Sequence, residues 1–220
     1  MLPIRDCQSI IFDCDGVILQ SNQLKSDAFA CVLADYDQNM VTTFIKWHKK
    51  YGGVSRFEKF AYFFRDMLAV VDWEEKTQKA CSDFSVITAK KLLNCPYING
   101  FERYLEFLET QKITLSVNTG GAETEVQEVF RKRGLLDKFE CILGSPSTKM
   151  ENMCKLQSMG LMSCKTAYFG DSRLDFDLAR NFGLHFVYVG QESEWPEGKI
   201  ATDGFGGYSI FDYECLLDLK

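Results

Sequence analysis

Asp13 and Asp15 flank one cysteine in the run Ile10-Ile11-Phe12-Asp13-Cys14-Asp15-Gly16. Two carboxylates one residue apart repel, and the apolar residues before them offer no relief, so a nearby cation is the natural explanation. Mg2+ suits the pair, because this hard ion takes carboxylate oxygens and keeps positions open for water and phosphate. A calcium loop starting at Asp13 would need an oxygen ligand at its fifth position and a bidentate glutamate at its twelfth. Val17 and Leu24 stand there, so that reading fails. Gly16 lets the chain turn away without a Cβ clash.

Three later stretches carry matching chemistry. Asn118-Thr119-Gly120-Gly121 offers a hydroxyl and accessible backbone N–H groups at an expected helix start, which suits a phosphate; a cap followed by a turn is the alternative. Lys149 follows Gly144-Ser145-Pro146-Ser147-Thr148 at a helix start, where the dipole disfavours a cation, so it calls for an anion nearby or full solvation. Gly170-Asp171-Ser172-Arg173-Leu174-Asp175 places two acids four residues apart, on one helical face toward one cation or in a capping arrangement. Asp177 reads as a solvated helix acid. His48 and His185 read as structural or surface residues, and two histidines with no Gly-x-Ser-x-Gly turn argue against a serine-hydrolase triad.

These residues need elements to bring them together. Residues 9–12 read as a strand buried on both faces. Apolar spacing of three and four then predicts helices over residues 23–36, 39–51, 55–68 and 73–93, and Pro96 with Asn99-Gly100 ends this helical module. Helices and strands alternate afterwards: helix 101–110, strand 113–117, helix 123–133, strand 141–143, helix 149–159, strand 166–169, helix 174–181 and strand 185–189. Residues 193–205 read as a surface loop, and the tail as an edge strand at 208–210 with a closing helix at 213–217. The fold class is α/β: a three-layer α/β/α Rossmann-like core around a parallel sheet, residues 1–16 and 97–220, with an inserted all-α cap, residues 17–96. In such sheets ligands sit beyond the carboxyl ends of the strands, which is where each of these stretches falls.

A length of 220 residues supports a large core plus an inserted module. The net charge of -6 argues against nucleic-acid partners and leaves a phosphorylated small molecule, met by a metal and a few placed cations. No apolar run approaches the roughly 18 residues of a membrane span. Residues 1–6 lack secretory-signal features, so a cytoplasmic location with no membrane partner is expected. Nine cysteines without a Cys-x-x-Cys pair point to reduced thiols and away from zinc; Cys14 reads as a small buried filler. The oligomeric state stays open.

Asp13-x-Asp15-Gly16, Thr119, Lys149 and Gly170-Asp171-Ser172-x-x-Asp175, in this order and each after a predicted strand, resemble the haloacid dehalogenase (HAD) superfamily of phosphohydrolases. The resemblance spans nearly the whole chain, including a helical cap directly after the first motif. One departure is Gln20, where many relatives carry an acid. The resemblance implies a Mg2+-dependent phosphate monoester hydrolase in which Asp13 attacks phosphorus, giving an aspartyl-phosphate, and Asp15 acts as acid and base. It also implies metal binding by Asp13, the Asp15 backbone carbonyl and Asp171. Thr119, Gly120 and Lys149 would hold the phosphoryl oxygens, and Asp175 would orient Lys149 or a metal-bound water.

Substrate choice falls to the cap. In Gly52-Gly53-Val54-Ser55-Arg56-Phe57-Glu58-Lys59, a Ser55/Glu58 capping box is expected, with Arg56 and Lys59 either facing an anionic or polyhydroxylated substrate or solvated. The stretch resembles that of capped members associated with surface-polysaccharide synthesis, which points to a sugar phosphate. A phosphoglucomutase-like transferase would keep the same residues, and an idle phospholigand-binding protein is the reading from another class. A dehalogenase is disfavoured, since Asp15 and a metal would be superfluous for a halide leaving group.

Overall fold

The computed structural model describes residues 7–217. Residues 1–6, read above for secretory features, lie outside the described residues. Strand β1 (Ser9–Phe12) is buried along its whole length and sits inside a six-stranded sheet of order β3-β2-β1-β4-β5-β6. The other strands are β2 (Thr114–Ala122), β3 (Cys141–Ser145), β4 (Thr166–Gly170), β5 (His185–Val189) and β6 (Tyr208–Ile210). Every pairing is parallel, and Phe12 lies in register between Val117 and Phe169.

Alternation along the strands divides the core into two apolar layers. Ile10, Phe12, Val117 and Phe169 face one way, toward Phe101, Tyr104 and Leu108 of α5 (Phe101–Thr110), Val129 and Phe130 of α6 (Glu123–Lys132), and Tyr213. Ile11, Leu143, Tyr168 and Phe186 face the other way, toward Met153 and Leu156 of α7 (Lys149–Ser158) and Phe176 and Leu178 of α8 (Arg173–Asn181). Burying both sheet faces forces near-continuous hydrophobic strands, the pattern that marked β1.

Between β1 and β2 lies the helical insertion: α1 (Asn22–Val32), α2 (Gln38–Lys50), α3 (Arg56–Ala61), α4 (Trp73–Leu93) and then α5. The first four helices share an apolar cluster of their own, centred on Phe29, whose ring lies 4.6–5.6 Å from those of Phe44, Phe60 and Phe84. The linkers at either end pack with the main core instead, through Val17, Ile18, Leu19, Cys95 and Ile98. Gln20 ties these linkers together by donating from Nε2 to the Tyr97 carbonyl at 2.7 Å, a bond no carboxylate could donate.

Three details differ from expectation. The helix expected over 55–68 breaks after Ala61 into a π-helical turn, Tyr62–Met67, which lets Phe63 and Phe64 both reach the cap cluster. Strand β2, expected to end at residue 117, runs on through Gly120 and Gly121 to Ala122, so Thr119 lies within the strand and not at a helix start, while α6 begins at Glu123 as expected. The segment taken as a surface loop contains helix α9 (Gly198–Phe205). Its two glycines hid the helix, but Thr202 bonds back to the Gly198 carbonyl at 2.7 Å and Gly206 closes the end in the left-handed conformation.

Candidate active site

The carboxyl ends of β1, β2 and β4 converge with the start of α7. Asp13 leaves β1 into a buried position, where Oδ1 accepts from the Cys14 N–H at 2.6 Å and Oδ2 lies 2.7 Å from the Lys149 ammonium. Lys149 is the first residue of α7, and its Nζ also reaches Asp175 Oδ1 at 2.6 Å. The anions that a cation at a helix start calls for are therefore two buried carboxylates. Thr148 and Glu151 close a capping box at that helix start, and Asn118 Nδ2 holds the Lys149 carbonyl at 3.0 Å.

Asp175 is fully occupied. Oδ1 accepts from Lys149 and from the Tyr168 hydroxyl at 2.8 Å, and Oδ2 from the Ser172 hydroxyl at 2.6 Å within a second capping box. The Asp171 carboxylate accepts from Asn22 Nδ2 at 2.7 Å. The bond needs a close approach: a Cβ on Gly16 would come 2.3 Å from Asp171 Oδ2, and φ at Gly16 is +73°. Gly16 thus serves the contact between the first and last acidic stretches as well as the turn.

Carboxylate oxygens of Asp13, Asp171 and Asp175 lie within 4.8 Å of one another, all buried. Burial, then the charges of Asp175 and Asp15, push the Asp13 carboxyl up to about 7 against the pull of Lys149. Burial, then Asp13 and Asp175, push Asp171 well above the carboxylate range. Burial alone would lower the proton affinity of Lys149, but Asp13 and Asp175 outweigh it and hold the ammonium above its ordinary range. The Lys149–Asp13 contact argues for an ionised Asp13, whereas burial first and then the neighbouring acids raise its proton affinity despite that lysine; a divalent ion reconciles the two. An all-oxygen donor set of this kind fits Mg2+. Since Asp175 has no free lone-pair direction, Asp13 and Asp171 are the side chains left to hold the ion.

Asp15 stands apart from that cluster. Its carboxylate is ion-paired with Lys25 of α1 and accepts from the Ser21 hydroxyl at 2.6 Å. Burial would raise it, but Lys25 and Ser21 together hold it below the ordinary range.

Thr119 is fully buried and accepts from the Gly121 N–H at 3.0 Å, while Gly120 and Gly121 line the cavity beyond the sheet. The cap loop closes over them: a Cβ on Gly120 would stand 2.2 Å from the Gly53 carbonyl oxygen, and one on Gly53 would stand 3.2 Å from Lys149 Nζ. Ser55 caps α3 by accepting from the Glu58 N–H at 3.2 Å. Arg56 lines the cavity but spends its charge on Glu125 of α6 at 2.6 Å, and Lys59 is buried against His48, Nζ to Nδ1 2.7 Å. A second link between cap and core joins Lys49 to Glu194 at 2.8 Å.

The sequence does not single out Lys25, Ser21, Asn22 or Tyr168, and His48, read there as a structural or surface residue, is buried. A lone lysine on the helix that directly follows two unrelieved acids is the signal that marks Lys25. The others have no local signature. Ser193, the first residue of the segment read as a surface loop, also serves the site, because its hydroxyl donates to the Asp171 carbonyl at 2.5 Å, and the carbonyl of Glu192 just before it accepts from Asn22 at 2.9 Å.

The family model described as haloacid dehalogenase-like hydrolase matches residues 10–189. A phosphorylated carbohydrates phosphatase of Thermotoga maritima is 22% identical over 219 residues, covering 96% of this chain and 97% of that protein. Among solved structures, a predicted phosphoglycolate phosphatase from Haemophilus somnus superposes with a TM-score of 0.73 at 18% identity, covering 97% of both chains. A β-phosphoglucomutase from Clostridium difficile does so with a TM-score of 0.73 at 18% identity, covering 96% of this chain and 93% of the other. With its acids gathered at the strand ends and a helical insertion after β1, the chain belongs to the haloacid dehalogenase-like hydrolases.

Proposed function

We propose that this chain is a Mg2+-dependent phosphate monoester hydrolase acting on a small phosphorylated metabolite, with a sugar phosphate as the preferred class. The observation that carries the reading is the double hold on Asp13, between the Cys14 N–H and the Lys149 ammonium, which fixes one carboxylate at the mouth of the sheet while Asp15 waits two residues on. The match to a phosphorylated carbohydrates phosphatase supports the substrate class.

In the first step an Asp13 oxygen attacks phosphorus, the ester P–O bond breaks, and the leaving oxygen takes a proton from Asp15. In the second, water gives a proton to Asp15 as its oxygen attacks the aspartyl-phosphate, releasing inorganic phosphate and the Asp13 carboxylate. Lys25 governs when Asp15 holds that proton. Lys149, oriented by Asp175, and the backbone N–H groups near Thr119 and Gly120 offset charge on the transferring oxygens. Asp13, the Asp15 backbone carbonyl and Asp171 would hold Mg2+, which would supply charge neutralisation for an anionic nucleophile meeting an anionic phosphate. The cap loop at Gly52-Gly53-Val54 excludes water from the closed site.

Release of inorganic phosphate from aryl and sugar phosphates, measured with Mg2+ and with chelator, tests the reading. Mg2+-dependent release that disappears in Asp13→Asn, with an unchanged circular dichroism spectrum, is the expected result. Full activity in that variant would refute the assignment. Turnover that requires a sugar bisphosphate activator would instead favour phosphoryl return to a second hydroxyl, the mutase reading.

A further inference from the structure

Among the described residues two lysines are buried, and they are treated differently. Lys149 meets two carboxylates, whereas Lys59, 4% exposed, meets none. The Lys59 ammonium has three N–H groups. Two find acceptors on His48, Nδ1 at 2.7 Å and the backbone carbonyl at 3.4 Å. With Nδ1 accepting, Nε2 carries the imidazole proton and donates to the Ser26 hydroxyl at 3.1 Å. His48 therefore supplies no counter-charge. Burial, reinforced by Lys59, keeps it neutral.

The surroundings make the missing anion conspicuous. Lys59 Nζ lies 5.8 Å from the centre of the Phe29 ring, and Lys59, His48, Phe29 and Phe84 all line the cavity that Asp13 and Asp171 open into. Of the other cavity cations, Lys25 meets the carboxylate of Asp15, Lys49 that of Glu194, Arg56 that of Glu125 and Arg173 that of Asp177, while Lys50 is exposed to solvent. Desolvating an ammonium is costly unless an anion meets it, so its retention beside a substrate cavity needs a reason. Burial first, and then Lys25, push the ammonium down to about 7, with Glu194 and Asp15 only partly opposing them. A neutral donor would fix His48 equally well.

Resting on the hydrolase reading above, we propose that Lys59, oriented by His48 and Ser26, binds a second anionic group on the substrate. The substrate class is then a small phosphate monoester that also carries a carboxylate or a second phosphate. Arg56, already neutralised by Glu125, holds the cap against the core and leaves this recognition to Lys59.

Matched substrate pairs test the assignment. The ratio of kcat/KM is measured for 6-phosphogluconate over glucose 6-phosphate and for fructose 1,6-bisphosphate over fructose 6-phosphate. A charged hydrogen bond predicts a preference of about tenfold or more in at least one pair, and the pair that shows it tells carboxylate from phosphate. Lys59→Gln, which keeps a donor for His48, should bring that ratio to about one, and Lys59→Arg should restore a preference. Ratios near one in both wild-type pairs, or a ratio that survives Lys59→Gln, would overturn the assignment. Calorimetric Kd values for the same pairs on Mg2+-loaded Asp13→Asn protein separate the two readings. A tenfold Kd preference in a chain whose wild type hydrolyses nothing sinks the hydrolase and keeps Lys59, whereas equal Kd values sink Lys59.

Discussion

The Gly53 carbonyl of the cap loop sits directly over the α-carbon of Gly120 at the end of β2, so close that a Cβ there would come within 2.2 Å of the oxygen. Backbone meets backbone, and no side chain can rotate away to make room. Gly120→Ala must therefore displace the cap loop from Lys149 and Ser172. Misplacement of about 1 Å can cost about a hundredfold in rate, so kcat/KM should fall by about ten- to a hundredfold. Gly204→Ala is the control, since nothing lies within 4 Å of that position. Equal steady-state constants for Gly120→Ala and the wild type would show that the closed loop plays no part in turnover.

The crowded acids make metal binding visible in stability. Asp13 titrates near 7 in the folded metal-free protein against 3.8 in an unfolded chain, and Asp171 is raised well above that value too. Below the unfolded value both states are protonated and nothing is lost. As pH rises toward 7 the unfolded chain sheds protons that the folded one retains, so stability falls across that window. A bound divalent cation removes the repulsion but competes with those protons. The rise in Tm on adding Mg2+ should therefore be larger at pH 8 than at pH 5.5. A rise independent of pH would mean that Mg2+ binds elsewhere.

Most of this arrangement could be read before any coordinates, for identifiable reasons. Strand β1 is apolar without interruption because both its faces are covered, and a carboxylate at the exit of such a strand stands out. Lys149 stood out because a helix start repels a cation. Residues whose meaning depends on a partner far along the chain stayed silent. Asn22 looks like any helix-start amide until it reaches Asp171, 149 positions away. Tyr168 looks like strand filler until its hydroxyl meets Asp175. Gly120 suggested a phosphate cradle, but its lack of a side chain is also demanded by the cap, a contact that strand periodicity cannot encode.

Lys25 sets the proton affinity of Asp15. Burial raises that carboxyl, and Lys25 is the largest influence lowering it, through both its charge and its hydrogen bond. Lys25→Met leaves burial opposed by Ser21 and the more distant Lys149, so Asp15 should hold its proton to higher pH. The limb of the pH profile of kcat/KM that reports Asp15 should move alkaline, whereas Lys25→Arg should keep it nearly in place. A profile unmoved by Lys25→Met would remove Asp15 from the acid and base role or Lys25 from its control.

Asp175 holds Lys149, Tyr168 and Ser172 at once, which separates its contribution to stability from that of its partners. Removing one partner of a buried ion pair costs about 3–5 kcal/mol, because the other is left without its counter-charge. Lys149 still meets Asp13 in Asp175→Ala, which sets the expectation at the lower end, about 3 kcal/mol. Loss of the single hydrogen bond from the Tyr168 hydroxyl to the Asp175 carboxylate in Tyr168→Phe should cost about 1.5 kcal/mol, the low end for a bond to a charged group, because Lys149 and Ser172 still hold Asp175. At about 2–4 °C per kcal/mol for a chain of this size, the two variants should melt several degrees apart. Tyr168→Phe should keep most of its activity, since Lys149 and Ser172 still fix the carboxylate. Asp175→Ala, with Lys149 free to swing away from Asp13, should lose activity even at temperatures where it remains folded. Full turnover in folded Asp175→Ala would mean that Asp13 alone positions the lysine.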